Sequence, residues 1–414
     1  MNSFLFILYL SLCTWLMNRV GFIRKTGLSP LWISVLFLLK VAAGIFYGWY
    51  YTQIPDFKNE ADTWKFYYES LEALNILKTA PLQFFTDVFL NADSNSYLHF
   101  FSSADTFWSL AKHEFMVKLM AVFNLLSGSN YYTNVIFYSF LTFFGPVAFL
   151  RVMKDVFPDR LPLLSTTIFL FPSFLFWCSG IHKDGIIFLL LALAIYSFYF
   201  GLKYQRTRLF TILPVLICMG LCFLVRNYVA LAFTPFFFAW WKAEKKKRRK
   251  WTAFLKVCLI GIIVFFGTKL FFPKIDFPQS VVMRNQEFIR LGGESMMPQR
   301  ELLPTFNSFL MNATQALNHS LVRPFITEIR SPFYFLCAIE ILFIWILIFI
   351  WYFRFKENPF EHSVVLTTLI GSFIVLLLIG YIVPQIGAIV RYRSIFIPFI
   401  VAPIVATTRW EPKY

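Results

Sequence analysis

The sequence predicts an all-α fold: a polytopic transmembrane helix bundle of about eleven spans, with two long extracytoplasmic loops carrying interfacial helices. Three observations predict it. Of 414 residues, 58% are hydrophobic and 21% aromatic, while only 14% are charged; a soluble domain carries about 25% charged residues. The apolar residues gather in runs near ~20 residues, the length that crosses a ~30 Å hydrocarbon core. The basic residues are concentrated in alternate loops between those runs. Together these exclude a soluble enzyme, a disordered chain and a disulfide scaffold, and residues 1–414 read as a single polytopic membrane domain.

Taken in order, the spans are 2–18, 30–51, 130–150, 161–179, 185–202, 209–225, 228–241, 252–272, 332–353, 364–383 and 394–408. The first lacks a basic leading segment and a small-residue cleavage site, so it reads as a retained span rather than a cleaved signal. One set of loops holds twenty basic residues, from Arg19 through the run Lys245 to Lys250 and on to Lys413, whereas the short loops of the other side hold Lys183, Arg226, Arg391 and Arg393. The positive-inside rule places the first set in the cytoplasm, with the N-terminus outside and the C-terminus inside. The net charge of +16 is then a matter of topology and not of nucleic acid, and the KKKRRK run at 245–250 is a cytoplasmic anchor. All six cysteines fall inside apolar segments without metal or disulfide spacing.

The outer loop 52–129 carries nine acidic residues against five lysines. It holds amphipathic stretches at about 62–77 and 105–127. Trp64, Tyr67, Tyr68 and Leu71 form one apolar helical face, suited to lying along the membrane surface. The outer loop 273–331 predicts one helix ending at Gly292-Gly293 and another around 301–321. Lys40 and Glu340 lie inside spans. Their depths, roughly 15 Å and 12 Å at ~1.5 Å per residue, permit a buried pair; a polar cavity or a protonated Glu340 would also accommodate them.

Polar clusters mark the outer ends of the spans. Glu60-Ala61-Asp62 offers two carboxylates to a divalent cation, Mg or Mn, or one carboxylate as a general base; Asp62 also suits an ordinary helix cap. Asp56 and Asp105 are nearby acids of the same kind. Ser179 to Gly185 places His182, Lys183 and Asp184 in one tight turn, with Asp184 also suited to a helix N-terminus. Arg226-Asn227-Tyr228 and Arg391-Tyr392-Arg393 present guanidinium groups that match phosphate oxygens or snorkel to headgroups. His99, His113, His319 and His362 are scattered without ligand spacing and read as surface or interfacial residues. No phosphate-binding glycine loop, zinc-protease motif or nucleophile elbow is present, so a hydrolase, kinase or redox enzyme has no support.

This plan resembles the GT-C superfamily of integral-membrane glycosyltransferases. "EAD" at 60–62 stands where that superfamily carries a modified acidic motif. "FPSFLFWCSGIHKDGIIF" at 171–188 is similar to its proline-led span ending in a polar loop, and "RYRSIFIPFIVAPIV" at 391–405 to its last span. The acidic loop here follows the second span and not the first. With Asp62 and Tyr67 in a D-x-x-x-x-Y arrangement, this is also similar to polysaccharide polymerases of the EpsG and Wzy type. The resemblance implies an enzyme of a cell envelope, multi-pass in a bacterial inner membrane. Its donor would be a sugar on a polyprenyl phosphate and its acceptor a glycan, lipid or protein, with membrane lipids as surroundings and no nucleic acid. It implies Asp62, Glu60 and Asp184 as catalytic candidates, and Glu60 with Asp62 as cation ligands if a metal is used. His182, Lys183, Arg226, Arg391 and Arg393 would hold the donor phosphate, and the loop 273–331 would cover the site. A transporter or flippase of a lipid-linked saccharide would use the same basic clusters, and a scaffold subunit of a membrane complex is a third class.

Overall fold

The computed structural model describes residues 3–54, 61–90, 106–205, 207–246, 250–273, 275–293, 295–328, 332–355 and 358–410. Asp56, Glu60 and Asp105 lie outside them. Among the described residues the chain is helical, with two isolated bridges, Met296 to Gln385 and Phe355 to Thr408. Seven helices are long and apolar enough to cross a membrane, and a bent pair makes an eighth candidate. The protein is therefore an integral, multi-pass membrane protein. The first helix, α1 (Ser3–Arg19), is apolar but falls short of span length.

The difference from eleven expected spans has local causes. The stretch expected to cross at 161–179 is two short helices, α7 (Leu161–Phe169) and α8 (Pro172–Trp177), because Pro172 has no N–H to give and disfavours helical geometry at Phe171. The two spans expected at 209–225 and 228–241 follow one another in a single apolar stretch, α10 (Arg208–Lys246), as two helices that meet at a kink at Arg226, with φ −148° and ψ 91°, where the sequence placed the break. The last expected span is α16 (Ile386–Ser394) and α17 (Ile397–Thr407), bent by 58°.

The described residues form two compact units, Met1–Leu161 with Phe174–Asn227, and Pro162–Ser173 with Tyr228–Tyr414. In the first unit, α2 (Pro30–Thr52) and α9 (Lys183–Lys203) both pack on α6 (Tyr131–Val156). Gly145 lets α6 and α9 approach so closely that a Cβ there would lie 2.9 Å from the Leu189 Cα. The segment between α2 and α6 forms α3 (Asp62–Thr79), α4 (Pro81–Leu90) and α5 (Phe107–Ser127). Trp64 fixes α3 to the bundle: its ring stacks on Tyr131 at 4.1 Å, and its Nε1 donates to the Gly48 carbonyl at 3.0 Å. Tyr67 donates to the Ser129 carbonyl at 2.7 Å.

The second unit contains α11 (Lys250–Phe271), α12 (Phe277–Leu291), α13 (Phe306–Leu317), α14 (Pro332–Arg354) and α15 (Ser363–Ile382). Val281, Val282, Leu302, Phe309, Ala316 and Tyr381 form one buried apolar cluster that joins the 273–331 segment to α15. The last carbonyls of α15 have no partner within the helix. Asn285 donates to Tyr381 O and Ile382 O at 3.0 and 3.2 Å, and Gln299 Nε2 to Tyr381 O at 3.0 Å, so loop side chains close that helix end. After α13 the chain widens into a π turn, Asn318–Val322, which buries His319 and Ser320. The expectation of a surface or interfacial His319 is thereby corrected: it is 1% exposed.

Candidate functional site

The site of the first unit begins with a turn that is sunk into the bundle. Lys40 donates to the Cys178 carbonyl at 2.7 Å and lies 3.4 Å from the Ser179 hydroxyl. Further along α2, a Cβ on Gly44 would meet Ser179 O at 2.6 Å, and one on Gly180 would meet the Tyr47 ring at 2.2 Å. Gly44 lies eight residues before Thr52, the end of α2, so the turn sits about 12 Å below that end at ~1.5 Å per residue. The backbone groups of such a turn are far from water and need partners. Lys40 supplies one, and the Tyr138 hydroxyl, fully buried, donates to the His182 carbonyl. Glu340, the other charge inside a span, has partners within its own unit. Glu340 accepts from Ser173 N at 2.7 Å and Ser173 Oγ at 2.5 Å.

This turn places four charged groups in a chain. Asp62, half exposed at 50%, holds its Oδ2 2.8 Å from His182 Nε2. His182 is 1% exposed, and its Nδ1 lies 3.0 Å from Asp184 Oδ2. Asp184 is fully buried, and its Oδ1 accepts from Arg226 Nη2 at 2.6 Å. A buried carboxylate is costly unless it is paired, and the guanidinium at the α10 break pairs this one. Both ring nitrogens of His182 face carboxylate oxygens. A neutral imidazole can donate to one of them, whereas the imidazolium donates to both. The chain thus links an exposed carboxylate to a buried, paired one through an imidazole.

The local sequence explains each position. Asp62 is the first residue of α3, whose cap position is Ala61 with no side-chain cap bond, so Asp62 does not fill the cap position expected as its alternative. Asp184 is the second residue of α9, whose cap position is His182, with no side-chain cap bond. Its first-turn position is favourable to a carboxylate, and Gly185 gives the turn room: a Cβ there would lie 2.5 Å from the Tyr138 hydroxyl. The Phe66 ring borders the chain. Its centroid is 6.3 Å from the His182 ring and 5.3 Å from the His113 ring, and Lys183 Nζ lies 5.0 Å from it. His113 contacts Glu69.

The structure thus gathers Asp62, His182, Asp184 and Arg226, with Lys183 at the edge. Arg226, expected between two spans as a phosphate ligand, lies at the kink between the two helices of α10 and is bonded to Asp184. Arg391 and Arg393 belong to the second unit. The Arg391 guanidinium lies 5.9 Å from the Tyr392 ring. Arg393, 3% exposed, donates from Nη1 to Ser320 O at 3.1 Å and Arg323 O at 2.7 Å. Among the described residues no group of three or more His, Cys, Asp and Glu side chains is arranged to hold a metal ion; Glu60, the partner proposed for Asp62 in a cation site, is outside them. Sequence reasoning did not find Tyr138. The signal was available: a tyrosine hydroxyl in the middle of an apolar helix needs a polar partner.

Fold and site define a multi-pass membrane protein with a carboxylate–imidazole–carboxylate–guanidinium chain sunk below a helix end. Comparison with protein-family models, curated proteins and solved structures finds no match.

Proposed function

We propose that the protein is a membrane glycosyltransferase that moves a sugar from a polyprenyl-phosphate-linked donor to an acceptor hydroxyl on the extracytoplasmic side, with Asp62 as the base. One observation carries the reading: the half-exposed Asp62 carboxylate is backed by His182, and His182 by the buried Asp184–Arg226 pair. In the transfer, Asp62 takes the acceptor proton as the acceptor oxygen bonds to the anomeric carbon and the sugar–phosphate bond breaks. His182 shares the proton taken up, and Asp184 orients the imidazole. Arg226 serves as a positioning residue through Asp184. Lys183, at the edge of the chain, is the basic group of this unit that the GT-C resemblance assigns to the donor phosphate, where negative charge develops on the leaving group. If a divalent cation takes part, Asp62 with Glu60 is the pair that would hold it. Lipid-linked donors suit the expected topology, because nucleotide sugars are cytoplasmic.

The test uses purified protein in lipid nanodiscs, radiolabelled polyprenyl-phosphate sugars and a panel of glycan, lipid and peptide acceptors. Transfer supports the proposal, and repeated additions to one acceptor mark the polymerase form. Flipping of the donor in vesicles without any transfer would assign the protein to transport instead.

A further inference from the structure

We infer that the second unit carries a binding cavity for a single neutral sugar ring. The cavity has a volume of about 210 Å³ and is walled by parts of the second outer loop, the start of α14 and the start of α16. At ~30 Å³ per water that is room for about seven waters, below the 300–1,000 Å³ typical of drug-sized ligands. One ring fits such a space; an oligosaccharide or an isoprenoid chain does not.

The chemistry of the walls selects the ligand class. Arg323 and Glu328 face the cavity as an ion pair, with Nη1 3.0 Å from Oε1. Because each cancels the other, neither an anion nor a metal cation meets uncompensated opposite charge. A guanidinium and a carboxylate side by side present paired donors and paired acceptors, the pattern that adjacent hydroxyl groups satisfy. Ser295, Thr327 and Tyr334 add three hydroxyl groups, and Ile386 an apolar surface for the C–H face of a ring.

The walls are also held in place before any ligand arrives, which lowers the cost of binding. Ile386 N donates to Ser295 O at 3.1 Å, and Met297 N to Pro384 O at 2.8 Å, tying the loop to the start of α16. The Arg323 carbonyl is fixed by Arg393, and Glu328 Oε2 accepts from Phe325 N at 2.9 Å. Gly387 leaves space for Tyr334, since a Cβ there would lie 3.2 Å from its hydroxyl.

The experiment is saturation-transfer NMR on the full-length protein in nanodiscs, with methyl glycosides of glucose, galactose, mannose and N-acetylglucosamine as probes and inorganic phosphate as a competitor. At least one glycoside is expected to show ring-proton saturation that phosphate does not displace. Thr327→Trp, which fills the exposed side of the cavity, and Glu328→Gln should each weaken it by about tenfold, the effect of one good hydrogen bond. Asp62→Asn, inactive in transfer on the reading above, should bind glycoside as the wild type does, so the two readings stand or fall separately. The inference is overturned if no glycoside binds the wild type, if phosphate displaces the glycoside, or if Thr327→Trp elutes as folded protein and binds unchanged.

Discussion

Asp62 and His182 are 120 residues apart in the chain and 2.8 Å apart in space. Each of the four groups in the chain stands out in the sequence as a charge at the end of an apolar run. Which one bonds to which was not legible, because that depends on how α3 folds back over the bundle and how deep the 178–185 turn sinks. The Asp184–Arg226 bond yields a direct prediction. Arg226→Ala leaves a buried carboxylate without its guanidinium and should cost about 3–5 kcal/mol of stability, and Asp184→Asn in the same chain should restore part of it. Thermal melting in mild detergent, followed by size-exclusion chromatography, measures this; an Arg226→Ala protein that melts with the wild type would show that the pair holds nothing. His319 gives a pH prediction. Burial first, and then the nearby Arg323, push its pKa down from 6.5 to about 4. The unfolded chain therefore binds a proton that the folded protein refuses between those values, so stability falls as the pH drops from about 6.5 towards 4. His319→Gln should flatten that part of the stability profile, and an unchanged profile would remove His319 as its source.

At the scale of elements, hydropathy reveals where helices lie, and single residues mark where they break: Pro172 the α7–α8 break, and Arg226, a charge in an apolar run, the kink in α10. The partner of Lys40 was not legible, because the turn after α8 descends to meet the ammonium. Small residues make that descent possible, which gives a contrast between two glycines. Gly44→Ala drives a Cβ to within 2.6 Å of Ser179 O, while Gly220→Ala meets nothing within 4 Å. Gly44→Ala should lower the folded yield and displace the His182 turn. Gly220→Ala should be neutral or gain up to ~1 kcal/mol from helix propensity. Fluorescence-detected size exclusion of the two variants checks this, and equal profiles would mean that the turn is not held against α2.

At the scale of the whole molecule, α10 decides the topology. Its apolar stretch, Leu209–Lys245, has 37 residues, about 55 Å if it were straight, nearly twice a ~30 Å core. The charge asymmetry predicts that the break at Arg226 returns the chain to the side it came from, with Lys183 outside and Lys245 inside. Cysteines placed at 183 and 245 should differ in labelling by an impermeant thiol reagent on intact cells, only the first reacting. Labelling of both would mean that α10 crosses once. The central claim is that Asp62 is the base of a sugar transfer, and the most direct test is the single-turnover transfer rate of Asp62→Asn beside the wild type in nanodiscs. The substitution keeps the shape of the side chain and removes its charge. The account predicts a rate lower by about 10²–10⁴-fold, the usual worth of a general base, in a protein that elutes and melts as the wild type does. Transfer by Asp62→Asn at the wild-type rate would contradict it.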